Sequence, residues 1–123
     1  MIEYLDASAL VKRYVEEAGS EHAATWLGHR PCATSRWTQI EILSAVARRC
    51  REGSIAPDER EAIAAALEAD LSGLFVVEVT PEVIATAKPL LMRHALRSGD
   101  AIQLASAQLL GQRTGDRMRF RCF

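Results

Sequence analysis

Short apolar runs alternate along this chain with stretches whose apolar residues recur every three or four positions. Ile2–Asp6 is an apolar run that ends on an acid, which predicts a strand. Ser8 is placed to cap a following helix that carries Leu10, Val11, Tyr14 and Val15 on one face. Gly19-Ser20 breaks it, and a second helix is expected from about Glu21 to Leu27. Pro31 precedes a short extended piece, Cys32–Ser35. Trp37, Ile40, Leu43, Val46, Ala47 and Cys50 then recur at helical spacing through residues 36–51, and Gly53 ends the run. Pro57 opens another helix, Asp58 to about Leu71. The β-branched run Leu74–Val79 reads as a buried strand. Thr80-Pro81-Glu82 starts a helix that Pro89 is expected to kink or end. Ser98-Gly99-Asp100 starts the next, to about Gln112, and Thr114–Arg117 turns into a final strand, Met118–Phe123. Strands alternating with helices predict an α/β fold of three layers. The expected sheet is mostly parallel, of about four strands, with helices on both faces.

Composition narrows this picture only a little. At 123 residues there is room for one domain and one core. The absence of any apolar run near the roughly 20 residues of a membrane span predicts no membrane partner. Asp6, Lys12 and Arg13 interrupt any secretory signal, and Cys32, Cys50 and Cys122 show no paired spacing. A reducing cytoplasm is the expected location. Net charge is -1, so no global charge marks a nucleic-acid binder, but the charge is uneven. Residues 52–82 hold eight acids against Arg60, whereas residues 29–51 hold five Arg against Glu41. A neutral chain can therefore present a basic face. Arg117, Arg119 and Arg121 alternate along the last strand, as either a solvated edge or a phosphate track. His22, His29 and His94 lack metal spacing, and Trp37 fits a core anchor better than a stacking platform.

Candidate chemistry lies in three acids that stand alone in apolar surroundings. Asp6 lies in Tyr4-Leu5-Asp6-Ala7-Ser8-Ala9-Leu10-Val11 and Glu41 in Trp37-Thr38-Gln39-Ile40-Glu41-Ile42-Leu43. Asp100 opens a stretch in which the next formal charge is Arg113. An anion in such a setting costs several kcal/mol unless hydrogen bonds or a cation compensate it. Each acid has a plainer explanation: Asp6 as a helix cap, Asp100 as a partner of a helix dipole, Glu41 as a solvated helix residue. A shared site explains all three at once. Asp6 falls at the carboxyl end of a strand, where α/β sheets bind ligands, and Asp100 at a helix start. Arg48 lies two turns beyond Glu41 on the same face, within reach of an anionic ligand. Oxygen ligands without His or Cys suit Mg²⁺ or Mn²⁺ rather than zinc.

These segments resemble the motifs of the PIN-domain family, most closely its VapC-type toxin ribonucleases. Tyr4 to Lys12 resembles the opening strand and acid. Thr34-Ser35 through Glu41 and Arg48 resembles the second motif, and Ser98 to Ala107 the third. The resemblance spans essentially the whole chain, read as one PIN-like domain over residues 1–123. It implies that Asp6, Glu41 and Asp100 are metal-binding catalytic acids, with Ser8, Ser35 and Arg48 in support. It also implies RNA phosphodiester hydrolysis with Mg²⁺ or Mn²⁺, a homodimer, and neutralisation by a cognate antitoxin protein. One departure stands out. The family carries a fourth acid just after the strand that Arg119–Phe123 resembles, then a short helix and strand, and this chain stops at Phe123; the C-terminal end is expected to be truncated. Gln103 stands where many relatives carry His. The departure sets up the alternative: a catalytically degenerate PIN domain that binds RNA or protein without cutting. A DNA or ribosomal-RNA processing nuclease shares the same acids and is separated only by substrate. A phosphoryl-acceptor signalling domain ranks lower, because no suitably placed strand-end Lys accompanies them.

Overall fold

A computed structural model describes residues 1–16, 20–21 and 30–123. Strand β1 (Ile2–Leu5) leads into a one-turn helix α1 (Ala7–Leu10) and a 3-10 turn, Val11–Arg13. Strand β2 (Cys32–Ser35) runs directly into α2 (Arg36–Arg51), followed by α3 (Pro57–Leu71), β3 (Phe75–Val77), α4 (Pro81–Arg93), α5 (Ser98–Thr114) and β4 (Met118–Arg121). The strands form one parallel sheet in the order β3-β2-β1-β4. Tyr4 stands opposite Ala33 on one side and Phe120 on the other. β1 is therefore central and buried on both faces, the ordinary condition of a parallel strand.

The two-residue pleat divides the core. Leu5 points to one face with Cys32, where Leu10, Ile42, Val46, Leu67 and Leu71 cover it from α1, α2 and α3. Ile2 and Tyr4 point to the other with Ala33, packed against Ala107 of α5 and Met118 and Phe120 of β4. The Tyr4 and Phe120 rings stack with centroids 5.3 Å apart. Under β3, Val77 meets Val83 and Ala87 of α4 and Ala101, Ala105 and Leu109 of α5. Alanines at those positions let the two helices approach closely. Among the described residues, every buried side-chain nitrogen or oxygen has a hydrogen-bond partner, and no helix is long and apolar enough to cross a membrane.

Several expectations change. The first helix is shorter than its apolar pattern predicts, and its cap is Asp6 rather than Ser8: the Asp6 carboxylate accepts the Ala9 N–H at 3.0 Å. The helix expected over residues 21–27 falls largely outside the described residues, as do His22 and His29. The strand read as Leu74–Val79 is only Phe75–Val77, on the sheet edge, with Phe75 54% exposed. A β-branched run reports strand propensity and cannot tell an edge from a centre. Pro89 does not end its helix, since α4 continues to Arg93. Pro89 and Ala85 both lie on the exposed face, where water can take the carbonyl that proline leaves without a donor. His94 sits exposed at that helix's C-terminal end.

The face of α2 also differs. Its fully buried positions are Thr38, Ile42 and Val46, whereas Ile40 is 57% exposed and Trp37 half-buried outside the core clusters. Thr38 displaces the expected stripe because Thr34 of β2 and Gln103 of α5 offer its hydroxyl hydrogen-bond partners. Of the three arginines, Arg117 precedes β4, and the two within it pair with an acid of the neighbouring strand. Glu3, only 3% exposed, is clamped by Arg121 Nε at 2.9 Å and Arg119 Nη1 at 3.5 Å. The last strand ends at Arg121, two residues short of the expected Phe123.

Candidate active site

The junction of β1 with α1 places Asp6 at the carboxyl end of the central strand. Its Oδ1 accepts the Ser8 hydroxyl at 2.6 Å as well as the Ala9 N–H. Glu41 projects from the second turn of α2. Asp100 lies in the first turn of α5, where its Oδ2 accepts the Arg97 N–H at 3.3 Å. All three carboxylates line one cleft of about 420 Å³, shared with Ala7, Ser8, Gln103 and Cys122. Two of the plainer explanations are also true, because Asp6 caps a helix and Asp100 sits against a helix dipole. The same geometry that makes them caps points them into the cleft.

Electrostatics in the cleft are unfavourable to anions. Burial raises the Asp6 carboxyl above its ordinary value, and the nearby charge of Asp100 adds to this, against the hydrogen bonds from Ser8 and Ala9. Burial likewise raises Glu41, helped by Asp6 and Asp100 and opposed by the hydrogen bond from Gln103. The acids thus feel one another, though desolvation is the larger cause for both.

Gln103 is the residue that the sequence signalled least. It is 2% exposed and reaches Glu41 Oε1 through Nε2 at 3.0 Å and Thr38 Oγ1 at 2.8 Å, while its Oε1 accepts the Tyr4 hydroxyl at 2.7 Å. Thr38 Oγ1 is 2.7 Å from Thr34 Oγ1, which is 2.6 Å from the Leu5 carbonyl. Each hydroxyl has one proton, so the directions resolve: Gln103 donates to Thr38, Thr38 to Thr34, and Thr34 to the carbonyl. Burial pushes the Tyr4 hydroxyl well above its usual range and keeps it a neutral donor. Turning the Gln103 amide over would set its oxygen against the Glu41 carboxylate. The network therefore fixes both the amide and the carboxylate it holds. One signal was available: Gln103 follows Asp100 by three residues, so on a helix it shares that face.

The other expected site residues divide. Ser8 lines the cleft. Ser35 is fully buried and caps α2 by accepting the Trp37 N–H at 3.0 Å; it does not line the cleft but lies beside Tyr4, the partner of Gln103. Arg48 lines a second groove of about 360 Å³ with Trp37, Ile40, Ser44, Ala45 and Glu41. Among the described residues, no group of three or more His, Cys, Asp or Glu is gathered tightly enough to hold a metal ion as it stands. The donor set nonetheless fits a hard cation, since the three carboxylates offer oxygen ligands to one space and their repulsion is what such an ion relieves.

The comparisons with known proteins agree on one family. The PIN domain family model matches residues 4–118. Ribonuclease VapC45 of Mycobacterium tuberculosis (strain CDC 1551 / Oshkosh) and Ribonuclease VapC49 of strain ATCC 25618 / H37Rv are each 36% identical over 109 residues, which is 88% of this chain and 76% of theirs. Among solved structures, Mycobacterium tuberculosis VapC20, a sarcin-ricin loop cleaving toxin, superposes with a TM-score of 0.73 at 20% identity, over 98% of this chain and 88% of that one. A toxin-antitoxin complex from Klebsiella pneumoniae gives a TM-score of 0.66 at 18% identity, over 96% and 82%. These two structures speak for the fold, and the sequence relatives for the family: the chain belongs to the PIN-domain family and, within it, to the VapC group.

Proposed function

We propose that this chain is a toxin endoribonuclease that hydrolyses RNA phosphodiesters with Mg²⁺ or Mn²⁺ held by Asp6, Glu41 and Asp100. The observation that carries this reading is the convergence of three carboxylates, from three separate elements, on one cleft at the carboxyl end of the central strand. The 36% identity to two proteins named as ribonucleases supports it. A bound divalent ion would polarise the phosphate and lower the pKa of an attacking water. The chain's own part is to hold the carboxylates. Ser8 fixes one oxygen of Asp6 and Gln103 one oxygen of Glu41, leaving the other oxygen of each for the ligand. Asp100 stands at a helix start, where backbone N–H groups favour its own negative charge. A homodimer neutralised by a cognate antitoxin, in the cytoplasm, completes the reading. The antitoxin would lay a helix in an apolar groove and send an Arg or a carboxylate toward the acids.

Among the described residues the three acids line the cleft without closing into a cation cage, and this favours a second reading, a PIN domain that binds RNA or protein without cutting. One experiment separates the two. RNA incubated with the chain and Mg²⁺ or Mn²⁺ should be cut, and EDTA, Asp6→Ala and Asp100→Asn should each abolish the cutting. Equal cleavage in every arm would sink the metal-nuclease reading. Binding without cleavage by the unmutated chain would establish the second.

A further inference from the structure

Glu41 lines both the carboxylate cleft and the groove formed by Trp37, Ile40, Ser44, Ala45 and Arg48. The two spaces therefore meet at a residue proposed to hold the cation. The second groove pairs an indole with an exposed isoleucine at one end and an exposed guanidinium at the other. Arg48 lies seven residues beyond Glu41, about 10 Å along the helix axis. Among the described residues it has no ion-pair partner, unlike Arg36, which is held by Glu78 at 2.8 Å. Trp37 is pinned rather than loose. Ser35 accepts only its backbone N–H; the ring itself is placed by α5, since its Nε1 stands 3.3 Å from where a Cβ on Gly99 would lie and the indole edge packs against the start of that helix. Glycine at 99 leaves room for that approach and for Glu41 Oε2, which a Cβ would also meet at 3.3 Å. A fixed aromatic ring, an apolar neighbour and a cation in line with a phosphate-cleaving centre match the needs of a nucleotide, which offers a flat base at one end and a phosphate at the other. A protein helix would need an acidic side chain placed to answer the guanidinium, whereas a nucleotide carries the flat face and the anion together.

We infer that this groove is a nucleotide subsite: single-stranded RNA leaves the cleft across Glu41, stacks a base on Trp37 beside Ile40, and sets the adjoining phosphate on Arg48. The inference rests on the proposed RNA-directed reading of the cleft, and its test reads binding apart from cleavage. The 123-residue chain carrying Trp26→Phe leaves Trp37 as its one indole. In EDTA, a short oligouridylate should quench that fluorescence saturably, and the same oligomer with abasic sugars should not. Labelled oligouridylate should bind Trp37→Ala about tenfold more weakly and Trp37→Phe within about threefold of the parent, because either aromatic face stacks. Trp37→Leu keeps apolar bulk without the flat ring and should behave as the alanine variant does. Arg48→Ala should weaken binding and flatten its salt dependence by about one released counterion. Circular dichroism and melting confirm that each variant is folded before it is compared.

Quenching by the abasic oligomer equal to that by the intact one would overturn the subsite. So would RNA affinity that ignores Trp37→Ala and Trp37→Leu, and the groove would then pass to a protein partner. A chain that binds RNA through Trp37 and never cleaves would retain the subsite and lose the nuclease reading. A chain that cleaves with kcat/KM indifferent to Trp37 would do the reverse.

Discussion

At the scale of single residues, the candidate site was legible wherever a charge interrupted an apolar stretch. Asp6, Glu41 and Asp100 could be singled out because an anion in such surroundings demands an explanation, and they do share one cleft. Gln103 could not be read the same way. A glutamine on a helix carries no charge, and its meaning comes from Tyr4 and Thr38, which are 99 and 65 residues away in sequence. Ser35 is a mixed case: its hydroxyl caps α2 by accepting the Trp37 N–H, and it lies behind the cleft beside Tyr4. The network makes a definite demand on Gln103→Leu. That change leaves the Tyr4 hydroxyl and the Thr38 hydroxyl short of a partner, which costs about 1–3 kcal/mol in a denaturant titration. It also frees Glu41 to turn. Calorimetry with Mn²⁺ should show affinity falling about 10- to 100-fold, as when an outer hydrogen bond to a ligand is lost. Unchanged affinity in a folded variant would show that Gln103 does not position Glu41.

At the scale of elements, periodicity found α2 and missed which side of it is covered. The α2 pattern favoured Trp37 and Ile40 as core, yet the buried line is Thr38, Ile42 and Val46. The sheet surface beneath the helix decides which side is covered, and a helical period alone contains no information about it. β4 illustrates the same limit. The alternating arginines left a solvated edge and a phosphate track both open, and neither reading anticipated that parallel register sets Glu3 opposite Arg119 while Arg121 reaches the same carboxylate. Nothing in the sequence marks Glu3, because an acid beside the N-terminus is ordinarily solvated. This clamp gives β4 an electrostatic hold that its short apolar content lacks. Arg121→Ala removes the closer partner from a buried carboxylate and should cost about 2 kcal/mol, reduced from the fully buried case by the guanidinium's partial exposure. Hydrogen exchange should show β4 amides losing protection more than those of β2. Equal loss in both strands would mean that the clamp stabilises the sheet as a whole rather than its edge.

At the scale of the whole molecule, one polar cluster joins the beginning of the chain to its middle. Asp70 near the end of α3 accepts Arg13 Nε at 2.8 Å and the Tyr14 hydroxyl at 2.5 Å. The Arg13 hydrogen bond, with Tyr14 and the Arg13 charge behind it, holds the Asp70 carboxyl below its usual value. A carboxyl depressed on folding contributes stability above its unfolded pKa of about 3.9, and loses it as pH falls through the lower folded value. Asp70→Asn should therefore melt earlier than the parent at neutral pH, and the two melting curves should converge in acid. A constant gap at all pH values would assign the effect to lost packing. The order of most elements, the parallel sheet, the place of Asp6 at a strand's carboxyl end and the three lone acids were determined by the sequence, because hydrophobic period and isolated charge are local properties of the chain. Tertiary structure alone decided which acids meet, that Gln103 holds Glu41, that β3 is an edge and that Trp37 lines a groove. Each of these depends on contacts between segments far apart in the chain, where sheet register and helix rotation, rather than local pattern, set which side chains face one another.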